Sequence, residues 1–165
     1  MGMKDSPVSA ARRTRRRSRK EVERVLARDD VALGDHSAHL IRRAHQRASM
    51  LFHEAFQAHR LTPTQYAVLG VLLRLGQLSQ RELGEATAID TASLSPMLSR
   101  LTDDGLVRRV PSSRDQRVNL VDLTNAGVEI AIEGLPLSRQ VSEQVLAPLT
   151  ARERDRFMTL LGKLG

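Results

Sequence analysis

The residues of this chain best equipped for chemistry fall into three groups, and none of them has the makings of a catalytic site. The stretch VPSSRDQRVNLVDLT, residues 110–124, sets Arg114 and Arg117 in a polar turn around Asp115. Guanidinium groups are planar donor forks, suited to phosphates and base edges. Upstream, DTASLSPMLSR, residues 90–100, carries the hydroxyls of Thr91, Ser93, Ser95 and Ser99, together with Pro96 and Arg100. The third group is histidine: His36, His39, His45, His53 and His59 all lie within one segment.

That concentration of imidazoles invites a metal reading, which helical geometry weakens. His39 and His53 share a side of a helix but stand 14 residues apart, which is about 21 Å. Only His36 and His39 could converge, and there is no cysteine to complete a soft site. No metal or other cofactor is therefore expected. The missing cysteines also exclude disulfides and thiol-based sensing. No nucleophile–base pairing and no phosphate loop is visible, so the chain does not read as an enzyme.

Length and composition narrow the class further. The 165 residues suffice for one domain with a real core. No apolar run approaches membrane-spanning length and the N-terminus lacks a signal-peptide core, so a soluble, cytoplasmic protein without a membrane partner is expected. Phe52, Phe56, Tyr66 and Phe157 are the only aromatic residues, which argues against a platform that stacks single-stranded bases. The net charge of +7 suggests a nucleic-acid partner, but it is unevenly placed. Residues 1–20 hold eight basic groups against one acid, whereas residues 21–165 hold 18 of each. Residues 1–34 thus read as a basic, disordered arm with room for a short helix after position 21; such arms add sequence-independent phosphate contacts. A solvated extension without function fits the same composition.

The remaining chain must supply the elements that position these groups. From about 36 to 59 a long amphipathic helix is expected, with Leu40, Ile41, Ala44, Ala48, Leu51, Phe52 and Ala55 on one face. Thr62 with Pro63 and Gln65 forms a capping box that opens a second helix ending near Gly76. Ser79 with Glu82 opens a short helix running to about Thr87. Asp90 caps another, roughly 91–103, ended by Gly105, with a buried stripe of Leu94, Met97 or Leu98, and Leu101. GLVRRV and RVNLVDL read as the two arms of a hairpin. Thr124 caps a helix over roughly 125–147 that Gly134 and Pro136 should interrupt. Thr150 with Glu153 opens the last one, whose apolar residues are Phe157, Leu160, Leu161 and Leu164. The fold class is mostly α with a small β-hairpin wing: a helix-turn-helix followed by a hairpin is the winged form of the DNA-binding module.

In this order and spacing, LSQRELGEATAIDTASLSPMLSRLTDDGLVRRVPSSRDQRVNLVDLTNAG resembles the MarR family of bacterial transcription regulators. The wing signature of that family corresponds to Asp115, Arg117, Leu123 and Thr124, and its Gly-Leu-Val to Gly105, Leu106 and Val107. The resemblance spans about residues 36–164. It implies a winged helix-turn-helix over about 61–124, and dimerisation helices over about 36–60 and 125–164 that intertwine in a homodimer. It also implies that Arg117 enters or borders the minor groove, that Arg114 lies near phosphate, and that Asp115 orients the arginine. Arg108 and Arg109 would add positive charge on the same side. Independently, a helix enters the major groove by its exposed side. Here that side offers Thr91, Ser93, Ser95, Pro96 and Ser99, with Arg100 further along towards phosphate. Hydroxyls donate and accept, while Pro96 contributes only apolar contact, such as to a thymine methyl. With no Arg, Asn or Gln on this face, specificity is expected to lean on shape and water.

Members of the family bind small aromatic or amphipathic anions between the dimerisation helices and the DNA-binding lobe. RRAHQRASMLF resembles members that control aromatic-acid catabolism. The pocket residues so implied are Arg42 or Arg43, His45, Phe52 and Tyr66, around a small aromatic acid or its acyl-CoA thioester. The expected function is that of a sequence-specific regulator, a repressor acting on a pseudo-palindromic double-stranded operator and released by such a ligand. The alternative is a constitutive or architectural DNA-binding protein without effector.

Overall fold

Helix starts in this chain follow its capping residues. The computed structural model describes residues 18–29, 36–112 and 119–164. In chain order it holds α1 (Arg19–Asp29), α2 (Ser37–Ala55), a 3-10 turn (Gln57–His59), α3 (Pro63–Leu75), β1 (Leu78–Ser79), α4 (Gln80–Thr87), α5 (Thr91–Asp103), β2 (Val107–Pro111), β3 (Asn119–Leu123), α6 (Asn125–Leu146) and α7 (Ala151–Leu161). Thr62 and Gln65, Ser79 and Glu82, and Thr150 and Glu153 each form the reciprocal capping box, while Asp90 and Thr124 cap α5 and α6. Two compact units divide the chain, Met1–Ile41 and Arg42–Gly165, with the boundary inside α2.

The larger unit is organised around α3, α5 and α6. Leu69, Leu83, Leu94, Leu98 and Leu101 are completely or almost completely buried and join α3, α4 and α5 in one core, which Leu106, Val107, Val121 and Leu123 extend under the sheet. The sheet is antiparallel with order β1-β3-β2. Its register pairs Val107 with Leu123 and Arg109 with Val121, and on the other edge Leu78 with Val121.

A second cluster is aromatic. The rings of Phe52 and Phe56 stack at a centroid distance of 4.0 Å, and Tyr66 tilts against Phe56 at 4.7 Å. Gly134 of α6 makes this packing possible, because a Cβ there would lie 2.2 Å from the Tyr66 ring. The Tyr66 hydroxyl donates to the Ala131 carbonyl of α6 at 3.2 Å, and burial pushes the phenol above its ordinary value of 10.0.

Several expectations need correction. α6 is continuous: Gly134 is buried within it against Tyr66 and Phe56, and Pro136 lies inside the helix on its exposed side. α2 stops at Ala55 instead of reaching 59, and only Phe52 on it is fully buried; Leu40, Ile41 and Ala44 are exposed. The expected basic arm contains α1, which begins already at Arg19. Ser18 and Glu21 open it with the same reciprocal hydrogen bonds, 2.8 Å from the Ser18 N–H to the Glu21 carboxylate and 3.3 Å in return. β1, paired with β3, adds a third strand to the expected hairpin. In the α5 stripe, Leu98 is buried and Met97 only half-buried.

Candidate nucleic-acid interface

α5 turns one side into the core and leaves the other open. Leu94, Leu98 and Leu101 fix the buried side. At 3.6 residues per turn, the opposite ridge is Ala92, Pro96, Ser99 and, in the last turn, Asp103, flanked by Ser95 on one side and by Ser93 and Arg100 on the other. Ala92, Ser93, Ser95, Pro96, Ser99 and Arg100 are all exposed, as is Thr91 at the first helical position. Every α5 residue expected to face DNA is therefore accessible, and the structure adds Ala92, which sequence reasoning passed over. Its signal was available: it stands four residues before Pro96 and opposite Leu94.

The hydroxyls are not equivalent. Asp90 accepts the Ser93 N–H at 2.9 Å and the Ser93 hydroxyl at 2.7 Å, so the proton of that hydroxyl is committed to the cap. These two bonds, that from the hydroxyl first, hold the Asp90 carboxyl below its ordinary value of 3.8. The cap thus stays charged at neutral pH, and its contribution is lost only as pH falls through the lowered value. Thr102 turns its hydroxyl back to the Leu98 carbonyl at 2.8 Å.

At its C-terminal end α5 is pinned to the hairpin. Gly105 turns the chain with φ +71, and the Thr124 hydroxyl, at the end of β3, donates to the Gly105 carbonyl at 2.6 Å. The same oxygen accepts the Gly127 N–H at 3.0 Å, so one threonine caps α6 and ties it to the turn after α5. Gly127 is needed at this crossing: a Cβ would lie 2.0 Å from the Leu106 carbonyl oxygen.

The hairpin stem corrects another expectation. Arg108 and Arg109 are neighbours on β2 and so point to opposite faces of the sheet. Arg108 lies across from Asp122 and bonds its carboxylate at 2.8 Å, while Gln77, just after α3, donates to the same oxygen at 3.2 Å. Arg108 is thereby a strut of the stem, and the two arginines do not add charge to one side. Arg114, Asp115 and Arg117 at the tip lie outside the described residues.

The residues expected around an effector are spread over two environments. Arg42 and His45 are exposed on α2, whereas Phe52 and Tyr66 belong to the aromatic cluster, with the Tyr66 hydroxyl held by Ala131. A separate surface groove of about 460 Å³ lies at the end of α2, lined by His53, Glu54, Phe56, Gln57, Arg60, Leu61 and Thr62. Among the described residues, no group of three His, Asp or Glu side chains could hold a metal ion. No helix among them is long and apolar enough to cross a membrane.

Comparison with known proteins agrees with this geometry. The sequence pattern of the MarR family matches residues 60–118. The repressor NicR of Pseudomonas putida is 36% identical over 126 residues, 76% of this chain and 80% of NicR. Among solved structures, BpsR of Bordetella bronchiseptica, described for regulation of its DNA binding by 6-hydroxynicotinic acid, superposes with a TM-score of 0.77 at 30% identity, over 81% of this chain and 96% of BpsR. The PcaV regulator of Streptomyces coelicolor, in complex with its natural ligand, gives 0.73 at 31% identity over 81% and 94%.

Proposed function

The chain belongs to the MarR family of transcriptional regulators, and on that footing we propose that it is a homodimeric repressor, released from operator DNA by a small aromatic acid. The observation that carries the reading is α5: a helix capped at its start, pinned to a hairpin at its end, and open along the side opposite Leu94, Leu98 and Leu101. Such a helix can lie in the major groove while the hairpin reaches the flanking backbone. In the wing, Arg117 is assigned to the minor groove or its border and Arg114 to a nearby phosphate.

Dimerisation is supported by unpartnered apolar surface. Phe157, Leu160, Leu161 and Leu164 recur at the three- and four-residue spacing of one helical stripe and are all exposed, as are Leu40 and Ile41 on α2. A second copy would cover them and set two α5 helices on the halves of a pseudo-palindrome.

The effector is assigned to a small aromatic carboxylate by likeness to BpsR, which responds to 6-hydroxynicotinic acid. Arg42 and His45 on α2 are the polar groups assigned to it, and Phe52 and Tyr66 of the aromatic cluster are the apolar ones. Duplexes selected from a randomised library by the full chain provide the operator for the test. Anisotropy titrations then follow release by 6-hydroxynicotinate, by hydroxybenzoates and by an aromatic acyl-CoA. Release by a free acid, weakened in Arg42→Ala, supports the reading; release by the thioester alone moves the effector class. If nothing releases DNA, and removal of residues 1–17 abolishes binding altogether, the chain is a constitutive binder driven by its basic arm. On the same duplex, Arg117→Ala is expected to weaken binding by about 1–3 kcal/mol.

A further inference from the structure

The outward ridge of α5 has a chemical character unlike that of most reading helices. Its N-terminal half is apolar: Ala92 and Pro96 stand one turn apart and are both exposed, with Ser99 and then Asp103 continuing the ridge. Of the side-chain donors on this half of α5, Ser99 lies on the ridge and Ser95 and Arg100 to either side of it, whereas the Ser93 proton goes to Asp90 and that of Thr102 to Leu98. No bidentate fork is present on this ridge.

Pro96 is also expensive where it stands. It lies inside α5, beyond the first turn, where a proline removes one helical hydrogen bond and crowds the preceding carbonyl. Being exposed, it recovers nothing by burial in the core of this chain. Its rigid ring nevertheless presents a preformed apolar surface beside the Ala92 methyl, and ordering that surface against a ligand costs little entropy.

We infer that Ala92 and Pro96 form an apolar patch that reads the 5-methyl group of thymine in each operator half-site. The inference rests on the reading of α5 as a major-groove helix. In the major groove the thymine methyl is the one apolar mark among otherwise polar base edges, and small apolar side chains are its natural complement. A methyl contact supplies positional information without a hydrogen bond, which suits the Ala92–Pro96 part of the ridge. Ser99, Ser95 and Thr91 surround the patch and suit direct or water-mediated contacts to neighbouring edges.

Uracil differs from thymine only by this methyl, so the test is a single-atom-group exchange. In the duplex selected by the full chain, each thymine of one half-site is replaced in turn by uracil, and affinity is measured for the wild type and for Pro96→Ala. Alanine is a far better helix former than proline, so this variant keeps α5 while removing the ring. For the wild type, uracil at one or two positions should weaken binding about fourfold, the value of one buried methyl. In Pro96→Ala the penalty at one of these positions should shrink towards none. A selected half-site without thymine, a uracil penalty below twofold at every position, or a penalty unchanged in Pro96→Ala would overturn the inference. Any of these results leaves α5 a sequence reader, because selection of a defined duplex has already succeeded. Failure to select any sequence removes that reading and the thymine contact together.

Discussion

The winged lobe from α3 to β3 and the terminal helix α7 solve the problem of apolar surface in opposite ways. In the lobe Leu83, Leu94 and Leu101 are completely buried, whereas α7 has no buried residue at all and exposes Phe157, Met158, Leu160 and Leu161. Both are amphipathic and both are well capped, so helix formation does not distinguish them. The difference is the location of the covering partner, which the lobe finds within the chain and α7 does not. Under the proposed function the lobe is the reading head, and α7 is half of an interface completed by a second copy.

The sharpest way to break this contrast is to damage each side in turn. Leu98→Ala, within the lobe, should lower unfolding free energy by about 2–5 kcal/mol, read by chemical denaturation, because its cavity cannot be filled from solvent. Leu161→Glu should leave the helical circular dichroism of the lobe intact while weakening dimerisation on the order of a hundredfold, seen by sedimentation equilibrium. An unchanged dimer would remove α7 from the interface. Between the two regions, Gly134→Ala forces a methyl onto the Tyr66 ring and should cost about 1–3 kcal/mol. The smallest effect is expected from Tyr66→Phe, about 1 kcal/mol, since it removes a single hydrogen bond to Ala131 and leaves the ring packing in place.

These sites also show what the sequence could and could not disclose. Caps are local, so Thr62, Ser79, Asp90, Thr124 and Thr150 announced five helix starts, and leucine spacing announced the buried side of α5. Ser18 and Glu21 obey the same rule, yet they were hidden within a run of like charges. Gly134 looked like a helix breaker because a glycine chosen for its neighbour's ring cannot be told from one chosen for flexibility. Strand β1 is only two residues long, and Ser79 serves both its ladder and the cap of α4, so no periodicity reveals it. The commitment of Arg108 to Asp122 and Gln77 depends on strand register, which a list of charges does not contain. For the interface, hydroxyls dominate the α5 sequence, but the fold sets the apolar pair Ala92 and Pro96 along the N-terminal half of the exposed ridge.

In the proposed homodimer two copies of α5 read one duplex together. A hydroxyl-radical footprint of the full chain on its selected duplex tests this most directly. Two protected segments related by a two-fold axis, with centres about one helical turn apart, are expected. A single protected segment, or protection that shifts freely along the duplex, would contradict it.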